Sequence, residues 1–338
     1  KQRQNLTLIT NIQVSKIIIE NSSAIGVEIK NKNKLEKIFA EKEVLLSAGA
    51  INSPQILMLS GVGPEEELKN HGIKVISALN GVGENLQDHL ETYVQYECTK
   101  PVTLYSSFNP INMALIGMQW FLFKKGIAAH SNLEIGGFIR TNEMVDYPNM
   151  QYHFFPSLVI DHGRQNPSCH AFQAHVGPMR PTSRGFIKLK SSNPNDSPRI
   201  QFNYMQTEHD LNEMREGIKI ARDIFHQKAF DHYRGKEISP GENINSDDDL
   251  NNFIRSKGDT AYHPSCTCKM GNDDMSVVDQ DLKVYGVEKL RVVDASIMPN
   301  IVSGNLNATT VMIAEKASDL IQNKITAEKV NIEFYKAS

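Results

Sequence analysis

Two polar side chains towards the C-terminal end of the chain are of types that could move a proton and bind an oxygen atom. His263 is followed directly by Pro264, and Asn307 lies in a later polar segment. Imidazole titrates near neutrality, so it can accept a proton from a substrate, and a carboxamide can hydrogen-bond a substrate oxygen. Taken alone, a single loop histidine is more often structural, and the spacing leaves both interpretations open.

The segment that carries Asn307 is predicted to open a final amphipathic helix, from about Thr309 to Ile325. Asn307, Ala308 and Thr309 then lie at the helix start, where main-chain N–H groups lack intrahelical partners and the helix dipole is positive. Such an end can stabilise negative charge that develops on a cofactor or substrate. An ordinary N-cap asparagine is the alternative interpretation.

A strand, a small turn and a helix follow one another in the first part of the chain. Glu43 to Ser47 are typical of a short buried strand, Ala48 to Ala50 are small, and the next helix is predicted to hold Pro54 in its first turn. Such a unit presents free N–H groups to a polar or anionic cofactor group. The segment Gly81 to Leu86 lacks the third glycine of a dinucleotide-binding loop, so that loop is expected upstream of the first residue.

Hydrophobic patterning divides the chain into an α/β part and a mainly antiparallel part. Leu6 to Ile29 indicate a β-hairpin or meander, whereas from about Glu91 strands alternate with long connections rich in proline and asparagine. We therefore predict an α/β fold whose first domain is joined to a mainly antiparallel α+β domain. The predicted boundaries are 1–90 for the first domain, 91–255 for the second, 256–325 for a return to the first, and 326–338 for a tail.

Composition excludes several classes of protein. The 338 residues are 40% hydrophobic with a formal charge of -3, which is typical of a globular protein without a general attraction for nucleic acid. Four cysteines are too few and too unevenly placed for a disulfide framework, and the histidine clusters fit no metal template, so no metal is expected. No apolar run approaches the roughly 18 residues of a membrane span, which predicts a soluble or peripheral protein.

Several motifs together carry a family resemblance. The segment Gly49 to Gly63 matches, at every constrained position, the second signature of the glucose-methanol-choline (GMC) oxidoreductases. The resemblance runs from Asn5 to about Ile325 and includes Gly83 to His89, Gln151 to Phe154, His175 to Arg180, Tyr262 to Pro264, Val292 to Pro299 and Gly304 to Thr310. The chain is identified as a member of this family and resembles its choline-oxidising members most. Because the glycine-rich loop is not found, we expect a C-terminal portion whose FAD-binding domain is truncated at its N-terminus.

The resemblance implies a chemistry, a cofactor and a set of site residues. The family's active-site pair falls on His263 and Asn307, and its FAD contacts fall on Val14, Asp294, Ala295, Ala308 and Thr309. The implied reaction is oxidation of choline to betaine aldehyde, and then to glycine betaine, by hydride transfer to flavin N5. Electrons are expected to pass to a respiratory acceptor. The implied location is the cytoplasm, the inner face of a bacterial membrane as a peripheral protein, or the mitochondrion in a eukaryote.

A choline-like substrate needs a site for a quaternary ammonium, which aromatic faces and a nearby carboxylate can recognise. His153 matches a substrate-domain histidine of the choline-oxidising members, and Tyr152, Phe154 and Phe155 around it are candidate cage residues. Glu134 is the candidate carboxylate. Aromatic residues in an alternating strand are more often part of the core, so a structural role for each ring stays open.

One position departs from the family pattern. Cys266 stands where the resemblance predicts a glycine, in the loop that carries His263. If that position requires a positive φ, a cysteine there strains the loop and could impair the enzyme.

Three alternatives to choline oxidation follow from the same sequence. The protein could oxidise another primary alcohol, it could be a non-redox relative that keeps the flavin structurally, or the isolated chain could be inert without its dinucleotide-binding loop. Turnover of choline, bleaching of the flavin and flavin absorbance distinguish these alternatives in turn.

Overall fold

The computed structural model describes residues 3–31, 34–133 and 135–324, and these form two compact units. Unit 1 consists of described residues from Lys1–Asp88, Ser183–Tyr204 and Tyr262–Ile332, and unit 2 of described residues from His89–Thr182 and Met205–Ala261. The chain therefore leaves unit 1 and returns to it twice. The segment Ser183–Tyr204 lies in unit 1, although the sequence prediction placed it within the second domain.

The described secondary structure comprises the following elements in chain order. The strands are β1 Gln13–Glu20, β2 Ser23–Asn31, β3 Lys34–Phe39, β4 Val44–Leu46, β5 Val62–Gly63, β6 Ser77–Ala78, β7 Leu90–Cys98, β8 Ile135–Ile139, β9 Met150–Phe155, β10 Ala171–Pro178, β11 Phe186–Lys188, β12 Arg199–Gln201, β13 Arg234–Ser239, β14 Asp259–Thr260 and β15 Leu290–Val292. The α-helices are α1 Gly49–Leu59, α2 Glu65–Asn70, α3 Pro110–Phe123, α4 Glu208–Phe225, α5 Asp247–Lys257 and α6 Leu306–Ile321.

The first three strands of unit 1 form an antiparallel meander in the order β1-β2-β3, which confirms the predicted hairpin or meander. Asn21 and Ser22 join β1 to β2 with φ values of 49° and 59°, the left-handed backbone that a tight hairpin turn requires. The strand begins at Gln13 rather than at Leu6. Leu6 and Leu8 are exposed, so their β-type pattern does not reflect burial in a sheet.

The predicted strand–turn–helix unit is present as β4 and α1, and β4 pairs in parallel with β15. Pro54 lies in the interior of α1, however, and not in its first turn as predicted. A proline there cannot donate to the carbonyl of Ala50, four residues earlier. The hydroxyl of Thr267 donates to that carbonyl instead, over 2.6 Å between Oγ1 and O, and so satisfies it.

The main sheet of unit 2 has the order β13-β7-β10-β9-β8, with β14 also paired to β7. All of its pairs are antiparallel, as the sequence predicted. One face packs on α4 through a cluster of aromatic rings that includes Tyr96, Phe172 and Phe225. Side chains alternate between the two faces along each strand, and the residues on the opposite face are more polar.

The predicted helices of both units are present with shifted ends. Helix α4 begins at Glu208, where the hydroxyl of Thr207 caps the N–H of Asp210. The final helix α6 begins three residues earlier than predicted and ends at Ile321, while the predicted end, Ile325, lies outside the described residues. Within the described part of the chain, every helix is too short or too polar to cross a bilayer.

Candidate active site

The loop that carries His263 is anchored in unit 1 through a buried carboxylate. The main-chain N–H of His263 donates to Oδ1 of Asp88 over 2.8 Å, and the hydroxyl of Tyr204 donates to Oδ2 of the same residue over 2.5 Å. Asp88 is only 3% exposed. Hydrogen bonds to a buried carboxylate are stronger than neutral ones, so the backbone position of His263 is well fixed.

The imidazole of His263 lies against the amide of Asn305. Nδ2 of Asn305 is 3.3 Å from Nε2 of His263. An amide NH₂ group can only donate, so Nε2 is the acceptor and the ring carries its proton on Nδ1. The sequence prediction paired His263 with Asn307 instead, two residues further along.

The start of α6 explains why Asn305 rather than Asn307 is opposite the ring. Asn305 is the N-cap, with extended backbone angles, and its side chain makes no capping hydrogen bond to the helix. Asn307 is the second residue of the helix itself and is exposed. The pattern Gly304 to Asn307 contains both asparagines. The residue at which α6 begins decides which of them faces the ring, and the sequence prediction placed that residue too late.

The first turn of α6 also contains the predicted cofactor residues Ala308 and Thr309. The amide groups of this turn lack intrahelical partners, and the turn contains no acidic residue. The positive end of the helix dipole is therefore not neutralised by a carboxylate of its own. An anionic or electron-rich group placed there would be stabilised.

Asp294, another predicted cofactor contact, uses its carboxylate to hold unit 1 together. Oδ2 accepts from the main-chain N–H of Gly49 over 2.9 Å and from the hydroxyl of Ser53 over 2.6 Å, while Oδ1 accepts from the N–H of Ser296 over 2.8 Å. The side chain thus ties the end of β15 to the start of α1. The neighbouring Ala295 accepts from the N–H of Cys266 through its carbonyl, over 3.2 Å, and so joins the same region to the His263 loop.

Two features of unit 1, next to predicted cofactor residues, provide room for a ligand and a polar group that could bind it. Gly49 has a φ of +82°, and a Cβ built there meets no atom within 4 Å, so the backbone faces open space at the carboxyl ends of parallel strands β4 and β15. Ligands commonly bind at such strand ends. Ser15 follows Val14 at a bulge in β1, and within the described residues its buried hydroxyl has no hydrogen-bond partner.

The loop strain expected at Cys266 is present. Its φ is 75°, a backbone conformation that glycine adopts readily and other residues rarely do. The side chain is fully buried, and burial raises the pKa of its thiol to about 11. Burial also raises the pKa of the neighbouring Cys268 thiol. Both sulfurs are therefore packing groups in the neutral form, as the sequence indicated.

In unit 2, Tyr152 and Phe154 point to the helix-covered face of the sheet. The hydroxyl of Tyr152 donates to the carbonyl of Gly217 on α4 over 2.8 Å, and burial raises its pKa. Phe154 packs on Phe172 and Phe225. Both residues line an apolar cavity of about 270 Å³ between the sheet and α4. They are core residues, which contradicts the predicted cage role for these two rings.

His153 lies on the opposite, polar face, since side chains alternate along β9. It pairs across the strands with His175, and the two rings meet edge to face with centroids 6.4 Å apart. The ring of Tyr93, on the next strand, lies 4.5 Å from that of His175. Phe155 is on the same face as His153 by the same alternation.

A hydrogen-bonded chain fixes His175 beside His153. Oε1 of Gln173 accepts from the main-chain N–H of Val159 over 2.8 Å, so its amide nitrogen is the group that meets Nε2 of His175 at 2.7 Å. Nδ1 of His175 then carries the proton and donates to Oε1 of Glu91 over 2.9 Å. The sequence prediction missed Glu91, although the alternation of Leu90, Glu91, Thr92 and Tyr93 along β7 was a signal for a polar face.

The candidate carboxylate Glu134 lies outside the described residues. Within the described part of unit 2, Glu91 is the carboxylate that we find hydrogen-bonded on the His153 face of the sheet. Its side chain is 14% exposed.

Comparison with known proteins agrees with this architecture. Two family models described as GMC oxidoreductase match the chain, an N-terminal one over residues 1–91 and a C-terminal one over residues 181–314. A mitochondrial choline dehydrogenase from Homo sapiens is 51% identical over 336 residues, which are 99% of this chain and 57% of that protein. An oxygen-dependent choline dehydrogenase from Acinetobacter baumannii strain AYE is 51% identical over 341 residues, covering 100% of this chain and 62% of that protein.

The solved structures include a formate oxidase from Aspergillus oryzae RIB40, described in a study of FAD modification, with a TM-score of 0.88 at 25% identity. The match covers 96% of this chain and 62% of that one. The chain thus spans about three fifths of the length of the relatives that it matches. Since both family models and relatives along the whole chain agree with the motifs, this protein belongs to the GMC oxidoreductase family, as its sequence predicted.

Proposed function

We propose that the whole protein oxidises choline to betaine aldehyde with FAD, and the hydrated aldehyde on to glycine betaine. The observation that carries the proposal is the contact between His263 and Asn305 at the positive start of α6. It places a proton acceptor beside an amide that can bind the same alcohol oxygen. The choice of choline is supported by the 51% identity to two choline dehydrogenases.

The residues of unit 1 fit FAD. Three features are suited to a large, polar and anionic group. They are the open space at Gly49, the start of α6 with no acidic residue in its first turn, and the buried hydroxyl of Ser15 beside Val14. The residues that would hold it are Val14, Asp294, Ala295, Ala308 and Thr309. For Asp294 and Ala295 we propose contacts through the backbone, because the carboxylate of Asp294 already accepts three hydrogen bonds. When bound, FAD supplies the acceptor for the hydride that leaves the alcohol carbon.

The residues of this chain handle the proton. Nε2 of His263 is the acceptor that faces Asn305, so a substrate hydroxyl that replaces the amide at this atom can give its proton to it as the carbon is oxidised. The amide NH₂ group of Asn305 is a donor that can hydrogen-bond the substrate oxygen as negative charge develops on it. The bond from the His263 backbone to Asp88 keeps the backbone that carries the ring in place during this transfer.

We propose the His153 face of the unit 2 sheet as the surface that recognises the quaternary ammonium. A quaternary ammonium has no N–H to donate, so it is held by ring faces and by a negative charge. The rings of Tyr93, His153 and His175 lie together with the carboxylate of Glu91 on this face. Glu134 remains a second proposed carboxylate.

The final electron acceptor and the cellular location are separate proposals. One relative is named an oxygen-dependent enzyme and another a mitochondrial one. We propose a respiratory acceptor, with the protein in the cytoplasm or on the inner face of a bacterial membrane, or in the mitochondrion. Comparing turnover with oxygen and with a soluble quinone as the only oxidant tests the acceptor.

Anaerobic addition of choline to the FAD-loaded protein tests the proposed function. We expect choline to bleach the flavin absorbance, aliphatic and aryl alcohols to do so much more slowly, and His263→Ala to slow the bleaching by about 10² to 10⁴-fold. Flavin absorbance without bleaching by any alcohol would favour a non-redox relative. Faster bleaching by another primary alcohol would identify that alcohol, and not choline, as the substrate. Absence of flavin absorbance would favour an inert fragment.

A further inference from the structure

Helix α3 of unit 2 is apolar apart from Asn112 and Gln119 and buries none of its residues. Its sequence, from Pro110 to Phe123, contains no charged side chain. The exposed large apolar residues are Ile111, Met113, Leu115, Met118, Trp120, Phe121, Leu122 and Phe123. Phe121 alone is 72% exposed. Apolar patches of this kind on a folded protein mark surfaces that another apolar phase covers.

The position of α3 leaves most of its surface uncovered. It follows β7 and precedes β8, and it packs mainly on the short 3-10 turns Leu104–Phe108 and Ile127–Ala129 that flank it in sequence. A helix with so few polar residues and no charge is ordinarily found in a protein core or in lipid. Here the surrounding elements of unit 2 do not supply a core.

The charged residues that flank α3 in the sequence are basic, as far as Glu97 on one side and Glu134 on the other. Between Cys98 and Leu133 the chain contains Lys100, Lys124 and Lys125 and no aspartate or glutamate. The last two directly follow the helix, and Nζ of Lys124 lies 4.0 Å from the centre of the Trp120 ring. Tryptophan and lysine side by side at the end of an apolar helix are typical of a membrane–water interface, where the ring and the lysine stem stay apolar and the ammonium reaches the headgroups.

The length of α3 suits one leaflet and not a full crossing. Fourteen residues rise about 21 Å at 1.5 Å per residue, against about 30 Å for the hydrocarbon core of a bilayer. We propose that α3 inserts into one leaflet of an anionic lipid bilayer, with Lys124 and Lys125 at the headgroup phosphates. A second copy of the chain that packed α3 on α3 would bring no carboxylate from this segment to the two lysines, whereas anionic headgroups supply one negative charge each.

Trp120 is the only tryptophan of this sequence, so in this chain its fluorescence reports on α3 alone. The test mixes the full chain with vesicles of phosphatidylcholine containing phosphatidylglycerol, and with vesicles of phosphatidylcholine alone. We expect the protein to float with the anionic vesicles, the Trp120 emission to shift to shorter wavelength, and lipids brominated in their acyl chains to quench it. The assay needs no cofactor or turnover, so its outcome is independent of the proposed function.

Three variants separate insertion from nonspecific adsorption. Phe121→Glu places a carboxylate in the apolar surface of α3 and should lower the partition coefficient at least tenfold. Met144→Glu makes the same kind of change at another highly exposed apolar residue of unit 2, and should leave partition within about twofold. The double variant Lys124→Gln/Lys125→Gln should weaken binding to anionic vesicles about thirtyfold, because each substitution removes the attraction of one lysine to the anionic headgroups.

Three results would overturn the proposal. The first is unchanged Trp120 emission with no flotation. The second is an emission already at short wavelength for the monomer without lipid, which would mean that the protein's own chain covers α3. The third is an emission shift that follows protein concentration together with dimer formation by light scattering, which would assign the surface to a second copy.

Discussion

Nδ2 of Asn305 lies 3.3 Å from Nε2 of His263, although 42 positions separate the two residues in the sequence. The histidine is in a loop fixed by Asp88, and the asparagine caps the helix α6. Two independently anchored backbones therefore bring an acceptor and a donor to one point. We therefore claim that Asn305, and not the neighbouring Asn307, acts in the reaction.

Replacing each asparagine by alanine tests that claim. We expect Asn305→Ala to lower kcat/KM for choline by about 10²-fold, because it removes the amide donor that faces the same oxygen as His263. Asn307→Ala should cause a distinctly smaller loss. Asn307 is the second residue of α6, and it is Asn305 whose amide meets the His263 ring. Steady-state kinetics of the FAD-loaded variants measure both, and flavin absorbance checks that each still binds the cofactor. A larger loss for Asn307→Ala would restore the pairing predicted from the sequence.

The sequence prediction paired His263 with Asn307, two residues from Asn305, which the structure places beside the ring. The motif and residue type located His263 and the positive helix start, because both depend on local sequence. The partner of the ring could not be chosen, because Asn305 and Asn307 differ only in whether they cap α6 or lie in its first turn. The hydrogen bonds of Asp294 to Gly49 and Ser53 join residues more than two hundred positions apart, and no local pattern indicates them.

The opposite faces of β9 give a second prediction. Tyr152→Phe removes a buried hydroxyl that donates to Gly217 and should lower the free energy of unfolding by about 1 kcal/mol, with little change in KM for choline. His153→Ala should raise KM for choline by about tenfold with a smaller effect on stability, because one aromatic contact to a cation contributes about 1 kcal/mol or more when desolvated. Urea unfolding and steady-state kinetics measure the two effects. A KM increase for Tyr152→Phe without loss of stability would return this ring to the substrate site.

The hydrogen bond from Thr267 to Ala50 gives a third prediction, as a double-mutant cycle with Pro54. Thr267→Val keeps the shape of the side chain and leaves the Ala50 carbonyl without this donor, so we expect a loss of about 1 to 3 kcal/mol in the free energy of unfolding. Pro54→Ala restores an N–H that can bond the same carbonyl. The loss caused by Thr267→Val should therefore be smaller by about 1 kcal/mol in the Pro54→Ala background. Strictly additive effects in urea unfolding would refute the shared acceptor.

The fold was predictable where burial follows a regular period. Strands β1, β2 and β7 alternate in burial, and their patterns indicated them correctly, whereas β3 is exposed along its whole length. Two positions failed for a physical reason. Pro54 was assigned to a first turn because a proline in a helix interior normally loses a hydrogen bond, and only the distant Thr267 makes that position acceptable. Leu6 was assigned to a strand on composition, yet no neighbouring strand covers it.

The positive φ of Cys266 gives the last prediction, which compares two substitutions at one site. Cys266→Ala and Cys266→Gly both remove the buried sulfur, so both lose its packing, but only the glycine variant also removes the Cβ that opposes a φ of 75°. Alanine is normally favoured over glycine because glycine loses more chain entropy on folding. Here we expect the reverse, with Cys266→Gly more stable than Cys266→Ala by about 1 kcal/mol, since left-handed backbone costs a residue with a Cβ about 1 to 2 kcal/mol. Urea unfolding of the two variants under the same conditions measures the difference. If the alanine variant is the more stable one, the loop is not strained at this position, and the departure from the expected glycine has no energetic consequence.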